Sequence, residues 1–116
     1  MARILVIDDE IEILRIAETF LLRKGFEVMT AQDGEEGLRA LDEAGPSIDL
    51  VVLDHRMPNL DGAGVLNEMR RKGIKKPVIL LTGSIGKEIK YLKADATLLK
   101  PIDLDEMLEM IRKLVG

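Results

Sequence analysis

Cysteine and tryptophan are absent from the 116 residues, and aromatic side chains amount to two phenylalanines and one tyrosine. Without a thiol there is neither a disulfide framework nor a thiolate metal site, and an intracellular, cytoplasmic setting is expected. His55 is the only histidine, so no second nitrogen or sulfur ligand exists to build a soft-metal site, and it reads as a loop residue. Long apolar runs are missing too: Ile4 to Ile7 and Val78 to Leu81 fall far short of the ~20 residues that cross a bilayer. The opening MARILVIDDE meets a double acid with no apolar region or cleavage site of a signal peptide. A soluble protein is expected, away from membranes. Nor is there an excess of positive charge. The net charge is −4, and the one basic cluster, Arg70, Arg71, Lys72 with Lys75 and Lys76, flanks an expected helix end, where cations suit the macrodipole. Nucleic acid is therefore not an expected partner.

What is present is a 47% apolar chain, enough for one domain spanning 1–116 that buries roughly two-thirds of its unfolded surface. Five short apolar segments recur, RILVI (3–7), EVMTA (27–31), DLVVL (49–53), PVILL (77–81) and ATLL (96–99). Helical periodicity fills 10–24, 34–43, 61–72 and 103–115. Asp33, Asp61 and Asp103 stand where N-cap acceptors belong, Glu106 completes a capping-box pattern with Asp103, and Gly25, Gly45 and Gly73 fall where helices end. The first, third and fourth segments are apolar on both alternating faces, as central parallel strands covered on two sides are; EVMTA is more polar, as an outer strand is. The reading is an α/β doubly wound, five-stranded parallel sheet of flavodoxin-like order 2-1-3-4-5, one of the few arrangements right-handed crossovers leave.

In such a sheet ligands bind beyond the carboxyl ends of the strands, where the winding reverses. Strand 1 ends in Asp8 and Asp9, strand 3 in Asp54, strand 4 in Thr82 and Gly83, and strand 5 in Lys100 and Pro101. Two carboxylates about 5 Å apart repel by ~3 kcal/mol at an effective dielectric of 20, so three on one rim need a counter-charge. Hard oxygen ligands with room for water suit Mg²⁺, and Lys100 adds a second positive charge. With the charge neutralised, a carboxylate can attack phosphorus to form an aspartyl phosphate, with metal, lysine and hydroxyl stabilising the transferring group. Asp54 is the preferred nucleophile, because it ends the central strand while Asp8 and Asp9 are paired as ligands. Each residue also has a plainer reading. Asp8, Asp9 and Glu10 can open a helix, Asp54 can begin a turn into Pro58, Thr82 can satisfy a loop amide, and Lys100 can be a solvated end.

ILVIDDE, VVLDHRMPNLDG, ILLTG and LLKP, in that order and across the whole chain, resemble the receiver domain of bacterial two-component response regulators, the chemotaxis-regulator-like superfamily. The resemblance implies that Asp54 is a phosphoacceptor taking its group from a sensor histidine kinase or phosphotransfer protein. It implies Mg²⁺ at Asp8, Asp9, Asp54 and the backbone carbonyl of Arg56, with Thr82, Gly83 and Lys100 serving the phosphoryl group. Pro101 is placed for the cis Lys-Pro bond usual in the family. The switch would be read on the helix 4, strand 5, helix 5 face by an output domain or downstream protein, and homodimerisation is left open. Two departures stand out. Thr97 occupies a position usually aromatic, with Tyr91 the nearest substitute, and the short Thr82 to Lys100 interval requires an abbreviated or irregular helix 4.

The stretch VILLTGSIGKEIK superficially suggests a phosphate-binding loop, but that motif needs four residues between its glycine and a Gly-Lys pair, followed by Ser or Thr. Here Gly83 and Gly86 enclose only Ser84 and Ile85, and Lys87 precedes Glu88. An aspartate-dependent phosphohydrolase would want an acid two residues after its nucleophile, where this chain has Arg56. The domain is therefore expected to signal rather than turn over substrate. A non-phosphorylated receiver-like interaction module is the third reading.

Overall fold

The computed structural model describes residues 2–84 and 86–115; the expected 1–116 span and the Gly83–Gly86 stretch also contain Met1, Gly116 and Ile85, which lie outside the described residues. Strands β1 (Arg3–Ile7), β2 (Glu27–Ala31), β3 (Leu50–Asp54), β4 (Val78–Thr82) and β5 (Ala96–Leu99) alternate with helices α1 (Ile11–Arg23), α2 (Gly34–Ala44), α3 (Gly62–Arg71), α4 (Lys87–Leu92) and α5 (Leu104–Val115). All strand pairs are parallel, in the order β2-β1-β3-β4-β5. This is the expected doubly wound sheet.

The strands' two-residue period divides the core in two. Leu5, Ile7, Val51, Leu53 and Leu80 face Leu41 of α2, Val65, Leu66 and Met69 of α3, and Ile89 of α4. Ile4, Val6, Val52, Ile79, Leu81 and Leu98 face Leu14, Ala17 and Leu21 of α1 and Met107 and Ile111 of α5. Every residue of β3 and β4 is buried, whereas β2 keeps exposed positions on the sheet edge. Burying an aliphatic side chain is worth about 1.5–3 kcal/mol, so these central strands are the rigid part from which the site residues project.

Helix starts follow the expected chemistry. Asp33 accepts from the Glu36 amide at 2.8 Å, Asp61 from Gly64 at 2.9 Å, and Asp103 from Glu106 at 3.1 Å. Gly25 and Gly73 end α1 and α3 with φ of 91° and 72°, a region open to glycine without a Cβ penalty. Gly45 departs from that expectation. Its φ is −48°, because the chain runs from α2 straight into the 3₁₀ turn Gly45–Ser47, where Pro46 tightens the backbone.

Helix α4 has six residues, the abbreviation the short Thr82 to Lys100 interval demanded. A helix this short gains little from its own hydrogen bonds. Only Ile89 is buried, and Gly86 provides no side-chain cap. At the other end Lys93 adopts φ 55°, and the Arg70 guanidinium of α3 donates to the carbonyls of Leu92 and Lys93, the latter at 3.3 Å. Three members of the basic cluster are thus engaged locally, since Arg71 pairs with Glu68 at 2.7 Å and Lys72 with Asp42 at 3.0 Å. Among the described residues, no helix is long and apolar enough to cross a membrane.

Candidate functional site

Register brings the strand ends together. Ile7 lies beside Leu53, so the next residues, Asp8 and Asp54, are neighbours across β1 and β3. Thr82 pairs with Leu99, and the Lys100 amide donates to the Thr82 carbonyl at 2.8 Å, fixing where the lysine leaves β5. The Lys100–Pro101 peptide is cis. Asp8, Asp54 and Thr82 are the buried polar residues of the described chain, all at this rim.

The Lys100 ammonium is the hub. Its Nζ lies 3.1 Å from Asp54 Oδ1, 3.2 Å from Asp8 Oδ2 and 3.0 Å from Glu10 Oε1. One positive charge thus meets three carboxylates, two of them withdrawn from water. Burial drives the Asp54 carboxyl up, the nearby Asp8 charge adds to it, and Lys100 only partly offsets them, leaving the group at about 7. Asp8 is also raised by burial, against the Glu10 amide bond and Lys100. For Lys100 burial works against the charge, but the Glu10 hydrogen bond and the Asp54 and Asp8 charges outweigh it and hold the ammonium above the ordinary lysine range.

Two buried oxygens, Asp8 Oδ2 and Asp54 Oδ2, have no hydrogen-bond partner among the described residues; Asp8 Oδ2 meets Lys100 by distance but without hydrogen-bond geometry. Unpartnered buried carboxylate oxygens are costly and are the donors a hard cation takes. Carboxylate oxygens of Asp8, Asp9 and Glu10 also come within 4.8 Å of one another. This donor set fits a divalent cation with oxygen preference, and Asp8 and Asp54 bring it the buried oxygens.

A tight turn positions Asp54. The Gly62 amide donates to the His55 carbonyl at 2.8 Å, closing the loop from β3 into α3, and a Cβ built at Gly62 would stand 2.6 Å from the Asp54 carbonyl oxygen and 2.9 Å from His55 Cα. Only glycine permits that approach. Asn59, inside the loop, takes φ 68°. Gly62 and Glu10 are the two site-building residues the sequence reading passed over. The signal for Gly62 was the Asp61-Gly62 pair at a helix start, and for Glu10 its place in the acidic triplet.

Other residues stand apart. The Thr82 hydroxyl is turned into its own loop, donating to the Ser84 carbonyl at 2.9 Å. Gly83 is exposed, and a Cβ added there would meet nothing within 4 Å. Asp9 is exposed, and the Arg56 side chain points to solvent beside Met57, Pro58 and Asp61. Thr97 is half-buried next to Leu80 on β4. Tyr91 is 77% exposed on α4, so it does not fill the place of the missing ring; α4 carries it outward while Ile89 packs inward.

Comparison with known proteins gives a consistent result. The family described as response regulator receiver domain matches residues 4–112. A probable transcriptional regulator, ycf27 of Cyanophora paradoxa, is 45% identical over 97% of this chain and 48% of its own length. The chain spans half or less of the length of the curated relatives it matches. Among solved structures, a response regulator receiver domain protein from Clostridium thermocellum superposes with a TM-score of 0.91 at 37% identity, covering 99% of this chain and 94% of that one. The chemotaxis protein CheY4 of Vibrio cholerae does so with 0.89 at 28% identity, covering 98% of each. With its sheet order, its acidic rim and these relatives in accord, the chain belongs to the response regulator receiver domain family, whose members signal rather than turn over substrate.

Proposed function

We propose that the chain is a phosphoacceptor receiver domain spanning 1–116, in which Asp54 takes a phosphoryl group in a Mg²⁺-dependent reaction and so biases an output surface. The observation that carries this is the buried Asp8–Asp54 pair, sharing one ammonium and leaving two oxygens unpartnered. Such a pair is poor for stability, and it suits a site that waits for a cation and a phosphoryl group.

The cation would be held by Asp8, Asp9 and Asp54 with the Arg56 carbonyl, and would supply charge neutralisation and a fixed seat for phosphoryl oxygens. The chain's own residues do the rest. Asp54, whose carboxyl is raised to about 7 without a cation, must be ionised to attack, and Lys100 at 3.1 Å favours the ionised form. In the transfer a carboxylate oxygen of Asp54 forms the new P–O bond as the P–N bond to the phosphohistidine of a sensor kinase or phosphotransfer protein breaks, returning imidazole. Lys100 then neutralises a phosphoryl oxygen, the exposed Gly83 leaves the approach open, and the Thr82 hydroxyl exchanges Ser84 for the phosphoryl group. Because Thr82 stands just before α4 in the chain and β5 runs from α4 to Lys100, the change biases the α4, β5, α5 face read by an output domain or downstream protein. Transcriptional regulators among the relatives make a transcriptional output the favoured one.

Incubation with Mg²⁺ and acetyl phosphate followed by intact-mass measurement tests the reading. A single phosphoryl adduct on the wild type, absent from Asp54→Asn and without Mg²⁺, is expected. No adduct would overturn it in favour of an interaction module, and continuous phosphate release would favour a phosphohydrolase.

A further inference from the structure

Glu10 belongs to the acidic rim but has no part in the transfer proposed above, yet its carboxylate makes the shortest of the three contacts to the Lys100 ammonium. A ring of contacts surrounds it. The Asp8 carboxylate accepts from the Glu10 amide at 2.8 Å, Glu10 Oε1 accepts from Lys100 Nζ at 3.0 Å, and Lys100 Nζ returns to Asp8 at 3.2 Å. Residue 10 is thus held by its backbone to one buried acid while its side chain holds the lysine that faces both. The exposures differ: the Glu10 side chain is 59% exposed, that of Lys100 20%, and those of Asp8 and Asp54 0% and 4%.

We propose that Glu10 is a positioning residue for Lys100, a tether on the solvent side that keeps the ammonium over Asp54 when its buried partners are drawn to other charges. The physical need is clear. A lysine ammonium is a point charge on a flexible four-carbon stem with about 2 kcal/mol of rotamer entropy to lose, so one contact does not fix it. Of its three carboxylate partners, Asp8 and Asp54 are those with unpartnered buried oxygens, hence those a cation claims. A cation there also repels the ammonium. Glu10, outside the buried pair and longer by one methylene than an aspartate, is the partner that stays. The tether itself stands on the geometry; its use in transfer rests on Asp54 being the phosphoacceptor.

The first measurement is made on the metal-free protein, by side-chain NMR of the Lys100 ε-methylene. High order is expected in the wild type and loss of order in Glu10→Gln, with no change at the distant Lys72. Unchanged order at Lys100 overturns the tether. The second is a double-mutant cycle on the acetyl phosphate adduct rate. Glu10→Gln is expected to slow the wild type about two- to fivefold, the range of a partly exposed pair, and to have no effect in a Lys100→Met background. Glu10→Asp, which keeps the charge but loses reach, should be slowed like Glu10→Gln. An equal effect with and without Lys100, or full rescue by Glu10→Asp, overturns the proposal in favour of long-range charge. If the wild type forms no adduct, the phosphoacceptor reading fails while the NMR measurement still decides the tether.

Discussion

Gly62 and Asp54 meet backbone to backbone: a Cβ at Gly62 would stand 2.6 Å from the Asp54 carbonyl oxygen, closer than any unstrained contact. Gly62→Ala must displace either the start of α3 or the end of β3. A loss of about 1–3 kcal/mol in urea unfolding is expected, with at least tenfold slower adduct formation at Asp54. Gly45→Ala is the contrasting change, because the site has helical φ and nothing within 4 Å. It should stabilise the protein by about 0.5–1 kcal/mol.

The pH dependence of stability follows from Asp54. Its folded-state pKa of about 7 lies above the ordinary 3.8, so between these values the folded chain binds more protons than the unfolded one. Stability of the metal-free protein should therefore fall as pH rises from about 4 to 7 and level off above. Asp54→Asn should remove much of that slope and raise the unfolding free energy above pH 7 by on the order of 2 kcal/mol, with a higher melting temperature. Mg²⁺ should raise the wild-type melting temperature and leave Asp54→Asn nearly unmoved. A slope of opposite sign would show Asp54 to be ionised throughout.

Removing Lys100 leaves Asp8 and Asp54 without the one cation that pairs with them among the described residues. Lys100→Met should destabilise the metal-free protein at pH 8 by about 3 kcal/mol, and by markedly less in an Asp54→Asn background. Chemical denaturation of the four proteins measures the coupling, and additivity would mean that the pair does not share the ammonium.

Helix α4 is held by one guanidinium and one buried isoleucine. Arg70→Ala should abolish amide-exchange protection across residues 87–93 while leaving the five strands protected. Lys93→Gly should act in the other direction, because φ 55° costs a lysine roughly 1 kcal/mol more than a glycine. Stabilisation by that amount is expected.

The fold was legible because its determinants are local and repeated. RILVI, DLVVL and PVILL mark buried strands by apolarity on both faces, and Asp33, Asp61 and Asp103 mark helix starts by a single accepted hydrogen bond each. Strands β3 and β4 begin one residue later than read and take in Asp54 and Thr82 as their last residues, because pairing with the neighbouring strand, not apolarity, decides where a strand stops. The acids and the lysine of the rim were legible from their places at strand ends. Glu10 was not, since its bond to Lys100 joins residues 90 apart and shows no periodicity. Gly45 misled because a glycine after a helix reads as a left-handed stop, while Pro46 supplied a different exit. The outward Tyr91 and the Thr82 hydroxyl turned to Ser84 are rotamer outcomes, set by packing that no residue pattern encodes.

The six-residue α4 also bears on how such a chain can diverge. Between Thr82 and Lys100 the helix buries only Ile89 fully, with Leu92 partly buried beside it, so residues can be inserted or deleted there at a cost set largely by loop-closure entropy, which grows by only about 0.6 kcal/mol per doubling of length. The β3–α3 turn allows no such freedom, because Gly62 seals it against Asp54. Descent can thus remodel the α4 surface while the acidic rim beneath it stays unchanged, and one such rim can serve lineages whose outer faces share nothing.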